Sequence, residues 1–223
     1  MMSPSELAQA ARFSEAKASL YSPVICDILD QMGLYHQFLP PELRPISPDH
    51  VLLGRAMPVL VGDVYGPDSR PFGRMTEALD QLESGEIYIA ATGRAMAAAW
   101  GEIMTATARM RGAVGAVVDG YHRDTVAVLE QSFPVFSRGS YALDSRPRSG
   151  VVDFRVPIEI GDVLIRPSDV IFGDVDGVVV IPHEVASEVI ERALTKASAE
   201  NTVRREIEAG RTATEVLAEH GIL

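Results

Sequence analysis

Residues 112–128, GAVGAVVDGYHRDTVAV, decide how this chain is read. An almost unbroken apolar run from Ala113 to Val118 predicts a short buried strand, and it stops abruptly at Asp119-Gly120. An adjacent cation and carboxylate, Arg123 and Asp124, follow before the chain turns apolar again. Polar side chains at the carboxyl end of such a strand stand where open α/β folds bind ligands. Taken alone, Asp119-Gly120 is ordinary turn chemistry, and Arg123-Asp124 is a helix-start carboxylate with a solvated neighbour.

The preceding stretch, AAAWGEIMTATARMRG, changes that balance. A helix is expected over 95–111 with Gly112 as its stop, and Gly101-Glu102 marks an exposed bend or helix start. A glycine there lets backbone N–H groups approach an anion closely. One helix and one strand separate Glu102 from Asp124, and such a pair brings its two ends together. Both carboxylates then face one pocket with Arg123 beside them. Carboxylates completed by water suit Mg²⁺, and a neighbouring arginine suits an oxyanionic substrate.

Outward from this segment the pattern alternates. SPVICDILDQMG reads as a helix with Ser22 as N-cap, Pro23 in its first turn and Gly33 as its stop. LLGRAMPVLVGDV is strand-like, GRMTEALDQLESG is helical up to Gly85, and EIYIAAT is a short buried strand. FPVFSRG, VVDFRVPIEIGDVLI and VIFGDVDGVVVIP supply further strands. Helices are expected over about 3–33 and about 183–220, the last long one ending near Gly210. The expected class is α/β, as one domain over 1–223 without repeats or linkers.

Composition excludes several functions. The net charge of −11 argues against a nucleic-acid partner. No apolar run approaches the roughly 20 residues that span a bilayer, and no signal peptide is read at the N-terminus. The single cysteine, Cys26, allows no internal disulfide, reads as a buried structural thiol and favours a cytoplasmic location. The only lysines, Lys17 and Lys196, lie in polar helical stretches, so Schiff-base chemistry has no candidate. No G-x-S-x-G, G-x-G-x-x-G or G-x-x-x-x-G-K-[ST] motif occurs. Asp174-x-Asp176-Gly lacks the later ligands of a calcium loop and reads as a turn. His183-Glu184 lacks a second histidine, because Ser187 stands where a zinc helix needs one. His122 is expected as a solvated loop histidine.

Gly101-Glu102, residues 103–122 and then Arg123-Asp124 resemble the acidic-x20-Arg-Asp signature of the RraA-like family. That family includes class II 4-hydroxy-4-methyl-2-oxoglutarate/4-carboxy-4-hydroxy-2-oxoadipate aldolases, oxaloacetate decarboxylases and RraA-type ribonuclease regulators. SPVICDILDQMG, LLGRAMPV, FPVFSRG and GDVDGVVVIP resemble further family blocks in family order. The resemblance implies a β/β/α swivelling-type fold with flanking helices, assembled as homotrimers or dimers of trimers. It implies Asp124 as the direct ligand of Mg²⁺ or Mn²⁺, with Glu102 reaching the metal through water. Arg123 would bind a substrate oxygen, and the backbone of Gly101, Glu102, Ile103 and Met104 the pyruvyl carboxylate. Glu200 of a neighbouring subunit is implied as a further ligand through water, with Glu206 the less well placed candidate. Glu102 stands where the characterised aldolases carry aspartate.

The expected activity is metal-dependent cleavage of a small α-keto acid bearing a second carboxylate, through a pyruvate enolate. Two alternatives stand beside it. One is a non-catalytic regulator whose acidic surface binds an RNA-degradation enzyme; the other is the same chemistry on another hydroxy-keto acid.

Overall fold

The computed structural model describes residues 13–65 and 70–222. Residues 13–19 are helical; the N-terminal part of the expected first helix, residues 1–12, lies outside the described residues. In chain order there follow α1 (Ser22–Gln31), β1 (Arg44–Pro45), β2 (Leu52–Asp63), α2 (Met75–Asp80), β3 (Glu86–Ala91) and β4 (Ala98–Trp100). Next come α3 (Glu102–Met110), β5 (Gly115–Val118), β6 (Tyr121–His122), α4 (Thr125–Glu130), β7 (Val135–Ser137) and β8 (Ser149–Phe154). The chain closes with β9 (Ile158–Ile160), β10 (Val163–Ile165), β11 (Val170–Asp174), β12 (Gly177–Ile181), α5 (Ala186–Glu208) and α6 (Ala213–His220).

The main sheet runs β1-β7-β5-β3-β2-β11-β12, and its middle strands β7, β5, β3 and β2 are mutually parallel. Strand β2 is long enough to divide its other edge between two partners. Its first residues pair with β11 and its last with β8, with a bulge between Leu60 and Val61. The sheet is nearly closed: Leu39 N–H and Gln37 C=O bond Val178 and Val180 of β12, and Arg44 of β1 donates to the Val175 carbonyl.

Both faces of the parallel strands are buried, as crossover connections require. Ile87 and Ile89 of β3 point inward with Val117, Phe136 and Ile171, while Tyr88 and Ala90 face α2 and α3 with Val118 and Ala108. A third apolar layer joins α1 and α5 to β11 and β12 through Ile25, Leu29, Phe172 and Val189.

Three expected elements differ. The helix over 95–111 begins only at Glu102, because residues 98–100 form β4 and pair in parallel with β6. Trp100 drives this: it is buried between Tyr88 (5.1 Å) and Phe133 (6.2 Å), contacts it reaches only as part of an extended segment. The helix expected up to Gly85 ends at Asp80, where Leu79 and Leu82 both turn into the core. Ser22 is not an N-cap but the first residue of α1, whose cap is Tyr21. Its N–H and hydroxyl both donate to Asp174 at 2.7 Å. No helix among the described residues is long and apolar enough to cross a membrane.

Candidate active site

The short β4–β6 ladder assembles the site. It aligns Trp100 with His122, and Arg123 N–H donates to the Trp100 carbonyl at 3.0 Å. Gly101-Glu102 and Arg123-Asp124, far apart in sequence, therefore lie side by side. Gly101 caps α3, and a Cβ on it would sit 2.7 Å from Asp124 Oδ2. Only glycine leaves that carboxylate where it is. Asp124 caps α4 in the left-handed region at φ 57°, a conformation that Asp and Asn tolerate better than other side chains.

Asp124 Oδ2 accepts the Glu102 N–H at 3.2 Å and lies 3.7 Å from Arg123 Nε. Arg123 Nη1 is 3.3 Å from Asp144 Oδ1. These side chains border a pocket of about 410 Å³, within the range of small-ligand sites, that also takes in Ile103 and Met104. The first N–H groups of a helix have no partner inside it. Here Glu102 N–H goes to Asp124 and Thr105 N–H to the Gly101 carbonyl. Ile103 and Met104 remain as backbone donors at the positive end of α3.

Four carboxylates line this pocket: Asp80, Glu102, Asp124 and Asp144. The described lining holds no histidine or cysteine. An all-oxygen donor set fits a hard divalent cation such as Mg²⁺ or Mn²⁺ and not a zinc site. Asp124 and Glu102 would hold it.

His122 is not solvated. It is buried, with Nδ1 2.7 Å from Ser137 Oγ and Nε2 3.0 Å from Thr125 Oγ1, and burial holds its imidazole below the ordinary range. It pins β6 to β7 and α4 rather than facing substrate. Cys26 is half-buried rather than buried, and burial pushes its thiol up to about 12. Glu200 sits on α5, where it accepts a hydrogen bond from the Tyr21 hydroxyl and lies 3.6 Å from Lys196 Nζ. It does not line the pocket of its own chain. Glu206 is held by Arg211 (2.6 Å) and His220 (3.0 Å), tying α5 to α6.

Other acidic groupings serve the fold. Asp169 is buried and accepts the N–H groups of Arg166 (2.7 Å) and His183 (3.0 Å). Asp174 bonds Ser22 and the Asp176 N–H (2.9 Å), so it is a lock between α1 and the β11–β12 turn rather than a calcium ligand. Sequence reasoning missed Asp144 and the wall formed by Phe72, Met75 and Leu79. Asp144 belongs to no motif, and although Met75 and Leu79 stand one turn apart on an expected helix, no local signal tied that helix face to Arg123 and Asp124.

Residues 22–180 match the family model described as RraA-like, Aldolase/RraA. The chain belongs to the RraA-like family. Among its relatives, a Halalkalibacterium halodurans protein provisionally named 4-hydroxy-4-methyl-2-oxoglutarate aldolase is 34% identical over 186 residues, covering 82% of each chain. Protein DlpA of Legionella pneumophila is 28% identical over 195 residues, which are 86% of this chain but only 31% of that protein. The solved structure of RraAS2 from Streptomyces coelicolor, described as an unusual member of the RNase ES inhibitor RraA protein family, superposes with a TM-score of 0.78 at 23% identity. It covers 87% of this chain and 97% of that one. That likeness shows the fold, and the α/β swivelling-type architecture expected of an RraA-like chain stands. The family thus carries both aldolase and regulator names.

Proposed function

We propose that this RraA-like chain is a divalent-metal-dependent carbon–carbon lyase acting on 2-oxo acids. The observation that carries the reading is the juxtaposition of Asp124 and Arg123 with the backbone N–H groups that open α3. A protein that only docks on a partner has no need of a guanidinium, a carboxylate and helix-start donors converging on one cavity.

In the proposed reaction a 4-hydroxy-2-oxo acid loses the proton of its C4 hydroxyl and its C3–C4 bond breaks. C4 becomes a carbonyl, and the electron pair stays on C3 as the enolate of pyruvate, which protonation at C3 completes. Decarboxylation of oxaloacetate gives the same enolate and CO₂. A bound Mg²⁺ or Mn²⁺ supplies Lewis-acid stabilisation of the developing charge. The chain's own groups do the rest. Ile103 and Met104 N–H hold the substrate carboxylate, and Arg123 donates to the oxygen on which charge develops. Asp144 steadies Arg123 from the opposite side. His122, buried and doubly bonded, does not act as the base, so the hydroxyl proton leaves to water in the open mouth of the pocket.

We further propose a cytoplasmic homotrimer or dimer of trimers in which Glu200 of one subunit completes the site of the next. The test is pyruvate release from a panel of 4-hydroxy-2-oxo acids and from oxaloacetate, with Mg²⁺ or Mn²⁺ and then with EDTA. Turnover lost in EDTA and restored by metal is expected. No pyruvate from any substrate with metal present would overturn the lyase reading in favour of a regulator.

A further inference from the structure

We infer that the pocket beyond Arg123 and Asp124 takes an uncharged hydrocarbon group, so that the preferred substrates are 2-oxo acids with one carboxylate and an apolar remainder. The inference rests on the 2-oxo-acid reading above and specifies its substrate class.

Besides Arg123 and the carboxylates, the lining is mostly apolar, with Phe72, Met75, Leu79, Ala99, Trp100 and Met104. The other polar side chains in it are the uncharged hydroxyls of Thr76, Thr107 and Ser145. The cavity adjoins a smaller space of about 20 Å³ whose boundary adds Val61, Tyr88 and Val151, with Ser145 and Ser149 as its polar members. That is room for about one water or a methyl group, not for a hydrated carboxylate.

Charge points the same way. Among the described lining residues Arg123 is the sole cation, and Asp124 and Asp144 already contact it. Asp80 is paired with Arg111 at 2.9 Å, outside the lining. Within the lining that one chain's described residues provide, a substrate's second carboxylate would meet either an apolar wall or one of the carboxylates, with no second guanidinium or ammonium to receive it. An unpaired charge moved out of water is strongly disfavoured, whereas methyl and methylene groups gain by the same transfer. Unpaired charge against the wrong ligand is itself a route to specificity.

The test is binding, read by titration calorimetry on the full chain with Mg²⁺ present. Two unreactive 2-oxo acids of similar length serve as probes: 4-methyl-2-oxopentanoate, with an isopropyl end, and 2-oxoglutarate, with a carboxylate end. At least tenfold tighter binding of 4-methyl-2-oxopentanoate is expected. Thr76→Arg, at an exposed position on the pocket rim, adds a cation and should raise 2-oxoglutarate affinity at least tenfold relative to the other probe. Equal or tighter binding of 2-oxoglutarate by the unmodified protein overturns the inference and leaves the 2-oxo-acid reading standing. An unchanged ratio in Thr76→Arg also overturns it, since the tail would then lie elsewhere. Binding of neither probe refutes the 2-oxo-acid reading itself, and this inference with it.

Discussion

Arg123 Nη1 stands 3.3 Å from Asp144 Oδ1, a carboxylate that reaches the site from the loop before β8. The guanidinium is thus held on one side by Asp144 and approached on the other by Asp124 Oδ2 at 3.7 Å. Its planar fork is aimed before any substrate arrives. Removing the charge from Asp144 frees the fork without removing it. Asp144→Asn should therefore lower kcat/KM about tenfold, ~1.4 kcal/mol of transition-state stabilisation, with most of the loss in kcat. An unchanged kcat, or a melting temperature that falls in step with activity, would deny Asp144 this positioning role.

Arg123 itself should matter more. If it donates to an oxygen on which charge develops, Arg123→Ala should cost about 10²–10³-fold in rate. Arg123→Lys should recover only part of this, because a point charge cannot reproduce two donors in a plane. The side chain is 38% exposed, so the melting temperature should barely move. Full turnover by Arg123→Ala would end the lyase mechanism.

Asp124 offers a test by metal binding. Asn accepts the left-handed backbone of residue 124, so Asp124→Asn should fold and yet lose Mn²⁺ binding followed by electron paramagnetic resonance. Gly101→Ala should weaken the same binding, because its methyl would displace Oδ2 from a 2.7 Å approach. Mn²⁺ affinity unchanged in both variants would place the metal elsewhere.

A shared site predicts complementation. Glu200→Ala and Arg123→Ala proteins should each be impaired. Mixed and reassembled, they should recover activity, since some sites draw both intact residues from different subunits. Tyr21→Phe is the control, for it removes the bond to Glu200 within one chain. If Tyr21→Phe reproduces the Glu200→Ala loss and mixing restores nothing, Glu200 acts only within its own fold.

Burial holds His50 below its ordinary value of 6.5, and its Nδ1 is buried without a partner among the described residues. The unfolded chain then binds a proton that the folded chain refuses. Stability contributed by the neutral ring is present above pH 6.5 and is lost as pH falls from 6.5 toward the depressed folded value. His50→Gln should show a smaller drop in melting temperature between about pH 7.5 and 5.5 than the parent protein. Identical drops would exclude this linkage.

Local chemistry wrote much of this molecule into its sequence. Uninterrupted apolar runs bounded by Gly and Asp marked β2, β3 and β5, and a proline in the first turn with a glycine stop marked α1. The two halves of the site were legible for the same reason, since a glycine before a helix and a charged pair after a strand are short-range signals. What depended on packing was not legible. Trp100 turned an expected helical turn into β4 because two aromatic rings distant in sequence receive it. His122 went inside because Ser137 and Thr125 satisfy both its nitrogens. Asp144 and the Phe72–Leu79 wall reach the pocket only once β8 and α2 have docked on the sheet. Contacts of that kind join residues that no spacing relates. The family, and the two short segments that the fold brings together at the pocket, could be read from the chain, while the shape and charge of that pocket were decided by the tertiary structure.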